Sequence, residues 1–241
     1  MDNPIFVISL ADQSARRRPL LKDLERSGLS AIVWEAIDGR IQIPNKFENL
    51  IDRHNARSPK GRSLLEPEFG ASLSHRAIYE HIVRNNISEA IVFEDDAILA
   101  PDFKDAIRSS LPSGCHLLKF DYERCRVVRG TRLEAIGRFC TWKVATTPTH
   151  STGYKLTNHA AKVLLESQTP VRAVADWPID LFELSARVIW PRAVDHPPKD
   201  DPTSAIASSR NQLHHLERKT PARYFERKYW RRKLGKRIYP E

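Results

Sequence analysis

The chain has 241 residues, 41% of them hydrophobic and 29% charged, with a formal net charge of +9. That length buries a full core, as one large domain or one domain with an appendage, and the composition is ordinary for a globular protein, with no internal repeat and no low-complexity segment. The surplus positive charge implies an anionic partner (nucleic acid, membrane headgroups or a phosphorylated substrate) without choosing among them.

Met1-Asp2-Asn3-Pro4 lacks the basic start of a signal peptide, and Ile5-Phe6-Val7-Ile8 is too short for its apolar core. No later stretch approaches a transmembrane helix, so a cytosolic chain is expected, with peripheral membrane contact left open. Ile5 to Leu10 reads as a buried strand. Ala11-Asp12-Gln13-Ser14 is a turn and helix cap, and a helix then runs through Arg16-Arg17-Arg18-Pro19 to about Arg26. Leu20, Leu21 and Leu24 form its apolar face and Gly28 its stop. Ser9 and the arginines sit near a strand-to-helix crossing, where α/β proteins bind nucleotides and guanidinium groups suit phosphate. A solvated helix face is the plainer reading. Ala31 to Trp34 predicts a second strand, Asp38-Gly39 a tight turn, and Arg40 to Leu65 a long loop with short helical pieces. Glu68 to Asn85 predicts a helix, with Phe69, Leu73, Ala77, Ile78 and Ile82 at helical spacing. Ser72, Ser74 and His75 lie on or near it, and a helix histidine is more often structural than a ligand.

Ala90-Ile91-Val92-Phe93 suits a strand buried on both faces, and it runs directly into Glu94-Asp95-Asp96. Three consecutive acids there repel one another and are costly to desolvate. A divalent cation relieves both costs, and Mg²⁺ or Mn²⁺ prefers carboxylate oxygens while keeping positions open for phosphate. A solvated acidic turn before Pro101-Asp102 is the alternative. Beyond it, Pro101 to Ser110 predicts a helix, Cys115 to Phe120 and Cys140 to Ala145 strands, and Thr146 to Thr152 a hydroxyl-rich loop containing His150. Gly153 to Leu156 is a short strand, and Thr157-Asn158 caps a helix from Ala160 to Glu166. Ala173 to Leu184 carries Asp176-Trp177-Pro178-Ile179-Asp180, and Val188 to Pro191 is the last strand before a Pro-rich stretch. Cys115, Cys125 and Cys140 fit neither a zinc pattern nor a disulfide framework, which suits a reducing compartment.

From Arg210 the composition changes. Arg210, Arg218, Lys219, Arg223, Arg227, Lys228, Arg231, Arg232, Lys233, Lys236 and Arg237 face only Glu217, Glu226 and Glu241, with Tyr224, Phe225, Tyr229, Trp230 and Tyr239 interleaved. A basic helix with interfacial aromatics suits a monotopic anchor on an anionic membrane. A helix docked by its aromatics and a nucleic-acid-binding segment are the alternatives. The expected division is a domain of residues 1–206 and a basic helical tail of residues 207–241.

The ordered segments resemble glycosyltransferase family 25, the bacterial lipopolysaccharide and lipooligosaccharide transferases. They are Phe6-Val7-Ile8-Ser9-Leu10 with Arg16-Arg17; Glu35-Ala36-Ile37-Asp38-Gly39; Gly70-Ala71-Ser72-Leu73-Ser74-His75; and Val92-Phe93-Glu94-Asp95-Asp96-Ala97-Ile98-Leu99. Thr152-Gly153-Tyr154 with Ala160-Ala161, and Ala175-Asp176-Trp177, complete the series. The likeness covers residues 5 to about 206, so the basic tail lies outside it.

The resemblance implies a GT-A-like α/β/α sandwich with a mixed, mostly parallel central sheet, a UDP-sugar donor and an inverting transfer. By the same likeness Asp96 would hold Mn²⁺ or Mg²⁺, Glu94 or Asp95 would share the cation or hold the ribose, and His196 would be a third metal or diphosphate ligand. Ser9, Arg16 and Arg17 would bind the nucleotide, and Gly70, Ser74 and His75 would line the donor pocket. Asp176 would be the base that deprotonates the acceptor, with a sugar packed on Trp177, and Asp180 is the fallback. The implied acceptor is a lipid-linked oligosaccharide and the donor sugar a hexose, galactose by family habit. The tail would hold the enzyme at the cytoplasmic face of the inner membrane, and nucleic acid is the less favoured partner. Two rival functions are a metal-dependent phosphohydrolase using the same acids and a non-catalytic basic adaptor with a decayed pocket.

Overall fold

The computed structural model describes residues 3–59, 61–123, 125–197 and 227–240. In chain order the elements are β1 (Ile5–Ser9), α1 (Ser14–Arg26), β2 (Ile32–Glu35), a 3-10 turn (Asn45–Leu50), α2 (Glu66–Arg84), β3 (Glu89–Glu94), β4 (Ile98–Leu99) and α3 (Phe103–Arg108). There follow β5 (Leu117–Lys119), β6 (Cys125–Val127), β7 (Leu133–Glu134), β8 (Cys140–Lys143), β9 (Gly153–Thr157), α4 (Asn158–Ser167), β10 (Arg187–Trp190) and β11 (Val194–Asp195). The chain closes with α5 (Arg227–Leu234) and β12 (Lys236–Ile238).

An eight-stranded sheet in the order β2-β1-β3-β9-β5-β10-β8-β7 forms the middle layer. Strands β9 and β8 run against the other six, which gives the expected mixed sheet with most strands parallel. Alternation along the strands builds two cores, because successive side chains leave opposite faces. Phe6, Ile8, Val92 and Tyr154 meet Ile78, Tyr79 and Ile82 of α2 and Ala160, Ala161 and Leu164 of α4 on one face. Ile5, Val7, Ile91 and Phe93 meet Leu20 and Leu24 of α1 and Phe103 and Ile107 of α3 on the other. The result is the expected α/β/α sandwich. A smaller cluster of Ile43, Ala56, Leu64, Phe69 and Val171 gives the long loop its own core.

Two glycines serve backbone packing. A Cβ on Gly39 would lie 2.2 Å from the Glu66 carbonyl oxygen, and one on Gly70 would lie 2.6 Å from that of Ile37. The Ser74 hydroxyl donates to Gly70 O at 2.7 Å and accepts from the Ile37 N–H at 2.8 Å. Gly70 and Ser74, implied for the donor pocket, therefore seat the Ile37–Gly39 segment against α2.

The described part of the basic tail is packed on the domain. β12 pairs antiparallel with β6, Arg231 on α5 meets Asp180 at 2.5 Å, and Trp190 Nε1 donates to Tyr239 O at 3.2 Å. The expected boundary at 206/207 and the basic residues from Arg210 to Arg223 lie outside the described residues. No helix among the described residues is long and apolar enough to cross a membrane. The three cysteines are buried and unbridged.

Candidate active site

The parallel pairing of β1 with β3, with Ile8 opposite Glu94, brings Ser9 and the acidic triplet to one sheet edge. Past the strand end the three acids diverge. Asp95 turns toward β1 and α1, where it accepts from Ser9 Oγ at 2.8 Å and lies 3.3 Å from Arg16 Nε. Asp96 receives Arg16 Nη2 at 2.5 Å. Arg17 Nη1 donates to Ser9 Oγ and to Leu10 O. The two arginines implied for the nucleotide thus stand at the triplet itself, where Arg16 offsets part of its negative charge. Glu94 turns the other way, accepting from Ser151 Oγ at 2.5 Å and lying 3.3 Å from His75 Nε2.

His75 is buried, and its Nδ1 meets the Tyr154 hydroxyl at 2.8 Å; that hydroxyl is 3.0 Å from Tyr79's. A line of hydroxyls and imidazole therefore runs from the core to Glu94. Its effect is on charge. Burial pushes the Glu94 carboxyl up, but the His75 hydrogen bond and charge, Ser151 and Arg16 outweigh it and hold the group down at about 2. Asp96 goes the opposite way, pushed up to about 6 by burial and by Glu94 and Asp95 against the pull of Arg16. Asp95 is raised too, by burial ahead of its neighbours.

These opposed shifts carry a stability prediction. A carboxyl raised on folding binds its proton more tightly in the native state, so Asp96 lowers stability as pH climbs from its ordinary 3.8 through about 6. Glu94 works in reverse, and its contribution is lost only as pH falls toward about 2. In the cation-free protein, Asp96→Asn should raise the melting temperature by several degrees above pH 7 and by much less near pH 4. Thermal denaturation against pH measures this, and an equal change at both pH values would contradict the charge assignment.

Asp176 joins the same cluster through Ser151, whose Oγ lies 3.3 Å from Asp176 Oδ1. The two loops involved are pinned to each other. Trp177 N–H closes a tight turn onto Ala175 O at 2.6 Å, and Trp177 Nε1 donates to His150 O at 2.9 Å. Trp177 and His150 both hold positive φ, 73° and 68°, a costly conformation for non-glycine residues that surrounding contacts must enforce. Beneath them Lys119 and Asp121 form a fully buried ion pair at 3.1 Å. Lys119 also donates to His150 O and lies 4.6 Å from the Trp177 ring centroid, and Asp121 accepts from the Thr152 N–H.

Several implied roles change in this setting. Trp177 is 6% exposed and packs edge-on to Tyr154, so its indole is a core element and not a sugar platform. The segment from Pro178 to Ser185 is bends and turns. Asp180 accepts from Thr147 Oγ1 and the Phe182 N–H and is ion-paired with Arg231, contacts that outweigh burial and lower its pKa. It docks the tail. His196 stacks on His150 with ring centroids 4.2 Å apart. Among the described residues no three His, Cys, Asp or Glu side chains are placed to share a metal ion, so Asp96, Glu94 and His196 do not form a ligand set.

A cation still fits the donor chemistry in a narrower way. Asp96 Oδ1 is buried without a hydrogen-bond partner. One spare carboxylate oxygen suits Mg²⁺ or Mn²⁺ that takes its other ligands from substrate phosphates and water, the usual arrangement for these ions. Ser151, Lys119 and Asp121 escaped sequence reasoning as site residues. The only hints were the hydroxyl-rich loop around His150 and an acid placed directly after a strand.

A family model described as Glycosyltransferase family 25 (LPS biosynthesis protein) matches residues 2–182. A putative glycosyltransferase of Haemophilus influenzae is 24% identical over 231 residues, 89% of this chain and 79% of that protein. A bovine protein named probable inactive glycosyltransferase 25 family member 3 is 36% identical over 103 residues, 42% of this chain. That match covers 17% of the bovine protein's length. A solved glycosyltransferase involved in glycosylation of the major capsid of PBCV-1 aligns with a TM-score of 0.38 at 9% identity, over 69% of this chain and 65% of that one.

Proposed function

The chain belongs to glycosyltransferase family 25, and on that premise we propose that it transfers a hexose from a UDP-sugar to an acceptor hydroxyl with inversion, galactose to a lipid-linked oligosaccharide being the specific form. The observation that carries this reading is the Ser151 hydroxyl lying between Glu94 and Asp176. It supports treating the acidic strand end and the candidate base as parts of one reaction centre.

In the transfer, Asp176 takes the proton of the acceptor hydroxyl as that oxygen bonds to the anomeric carbon, and the bond from that carbon to the diphosphate oxygen breaks. Ser151 spends its own proton on Glu94. Its oxygen is therefore free to accept from Asp176 once Asp176 has become the carboxylic acid. Glu94, held ionised by His75 and Ser151, fixes the direction in which Ser151 points. Arg16 and Arg17 are within reach of the same edge and suit the donor's phosphates. A cation on Asp96, when bound, would neutralise charge on the departing diphosphate.

A melting-temperature screen of UDP-sugars with Mn²⁺ tests the reading, because a ligand that binds only the native state raises that temperature. UDP-galactose should shift it upward by several degrees and other nucleotides by less, and transfer should then be measured with and without chelator. Phosphate release from simple esters, indifferent to uridine, would favour the phosphohydrolase instead. A chain that binds UDP yet turns over no donor would stand with the relatives whose names call them inactive.

A further inference from the structure

The seam between α5 and the domain holds a cavity of about 890 Å³, within the size range of small-molecule sites. Val128, Phe182, Trp230 and Leu234 give it apolar walls, and Arg129 and Arg227 stand with them at the lining. On α5 the lining residues Arg227, Trp230, Arg231 and Leu234 follow helical spacing, so one face of the helix looks into the groove. Trp230 is 53% exposed and Leu234 69% exposed. The two form an exposed apolar edge beside the groove.

Charge selects the partner. Between Arg227 and Arg237 the chain carries Arg227, Lys228, Arg231, Arg232, Lys233, Lys236 and Arg237, and no acid. Among the described residues only Arg231 of these is ion-paired, with Asp180. A second copy docked symmetrically would set this cationic helix against itself, which disfavours a dimer. A nucleic-acid backbone satisfies the cations and leaves the apolar interior uncovered. An amphiphile with a negative headgroup satisfies both.

We propose that the groove between α5 and the domain takes an acyl chain of an anionic phospholipid, with the lipid phosphate at Arg129 and Arg227 and the helix lying on the bilayer surface. The mode of attachment is specific: α5 is already clamped to the domain by Arg231, Asp180 and the β12–β6 ladder, so the lipid completes a preformed seam. The inference concerns a surface apart from the acids at the sheet edge, and it stands whether or not the chain transfers sugar.

Full-length protein is mixed with vesicles of equimolar phosphatidylglycerol and phosphatidylcholine, or of phosphatidylcholine alone, and sedimented. Binding should be at least about tenfold tighter to the anionic vesicles and should weaken with salt. Leu234→Asp, at an exposed position, should weaken it about tenfold, and Val128→Trp, which fills the groove but leaves every cation in place, should do the same. Brominated acyl chains should quench tryptophan emission, and Trp230→Phe should remove that quenching. Tight binding that survives Val128→Trp without quenching would reduce the contact to surface adsorption and overturn the acyl site. A concentration-dependent dimer abolished by Leu234→Asp, or single-stranded nucleic acid bound in preference to vesicles, would overturn it in favour of those occupants.

Discussion

Asp176→Asn is expected to remove sugar transfer almost completely, lowering turnover by about 10²–10⁴-fold while leaving donor binding and melting temperature near those of the parent protein. The asparagine keeps the shape of the group that faces Ser151 at 3.3 Å. What it loses is the ability to accept a proton. Because the group acts on the acceptor and not on the diphosphate, the loss should appear in kcat, with the affinity for UDP-sugar little changed. Asp180→Asn is the necessary contrast. Its carboxylate is engaged by Thr147, the Phe182 N–H and Arg231. That variant should loosen α5 and leave the chemistry near normal. Single-turnover kinetics beside a UDP-sugar titration separate the two, and the opposite ranking would move the base to Asp180.

The largest effect on stability should come from Lys119→Met. Lys119 and Asp121 are both fully buried, and the lysine also holds the His150 carbonyl and faces the Trp177 ring. Removing the cation leaves the Asp121 carboxylate buried with, among the described residues, only the Thr152 N–H at 3.3 Å. Breaking one partner of such a pair costs about 3–5 kcal/mol, or a fall of about 6–20 °C for a chain of this size. Replacing both residues, as Lys119→Met with Asp121→Leu, removes the orphaned charge and should recover much of that loss. Activity should not recover with it. The pair anchors the two loops that present Ser151 and Asp176, so the double variant should be stable and slow. Calorimetry together with turnover reads both, and a double variant as unstable as the single one would assign the pair a packing role only.

Much of the fold was legible because its signals are local. Ile5 to Ile8 and Ala90 to Phe93 are apolar on both faces, α2 repeats Phe69, Leu73, Ile78 and Ile82 at helical spacing, and Thr157 caps α4 by accepting from the Ala160 N–H. The short strands β6, β7, β11 and β12 were not legible. Each spans two or three residues, too few for a period; β6, β11 and β12 exist because a strand distant in the chain pairs with each, as β12 does with β6, and β7 pairs with its neighbour β8.

The acids of the site divide along the same line. Chain order alone placed Glu94, Asp95 and Asp96 together at a strand end, since that depends only on neighbours in sequence. Which of them stays ionised, that Trp177 turns inward, that Asp180 clasps the tail and that Ser151 joins Glu94 to Asp176 were decided by segments far apart in the chain. Burial and hydrogen bonding act through space, and only the folded chain specifies which groups share that space.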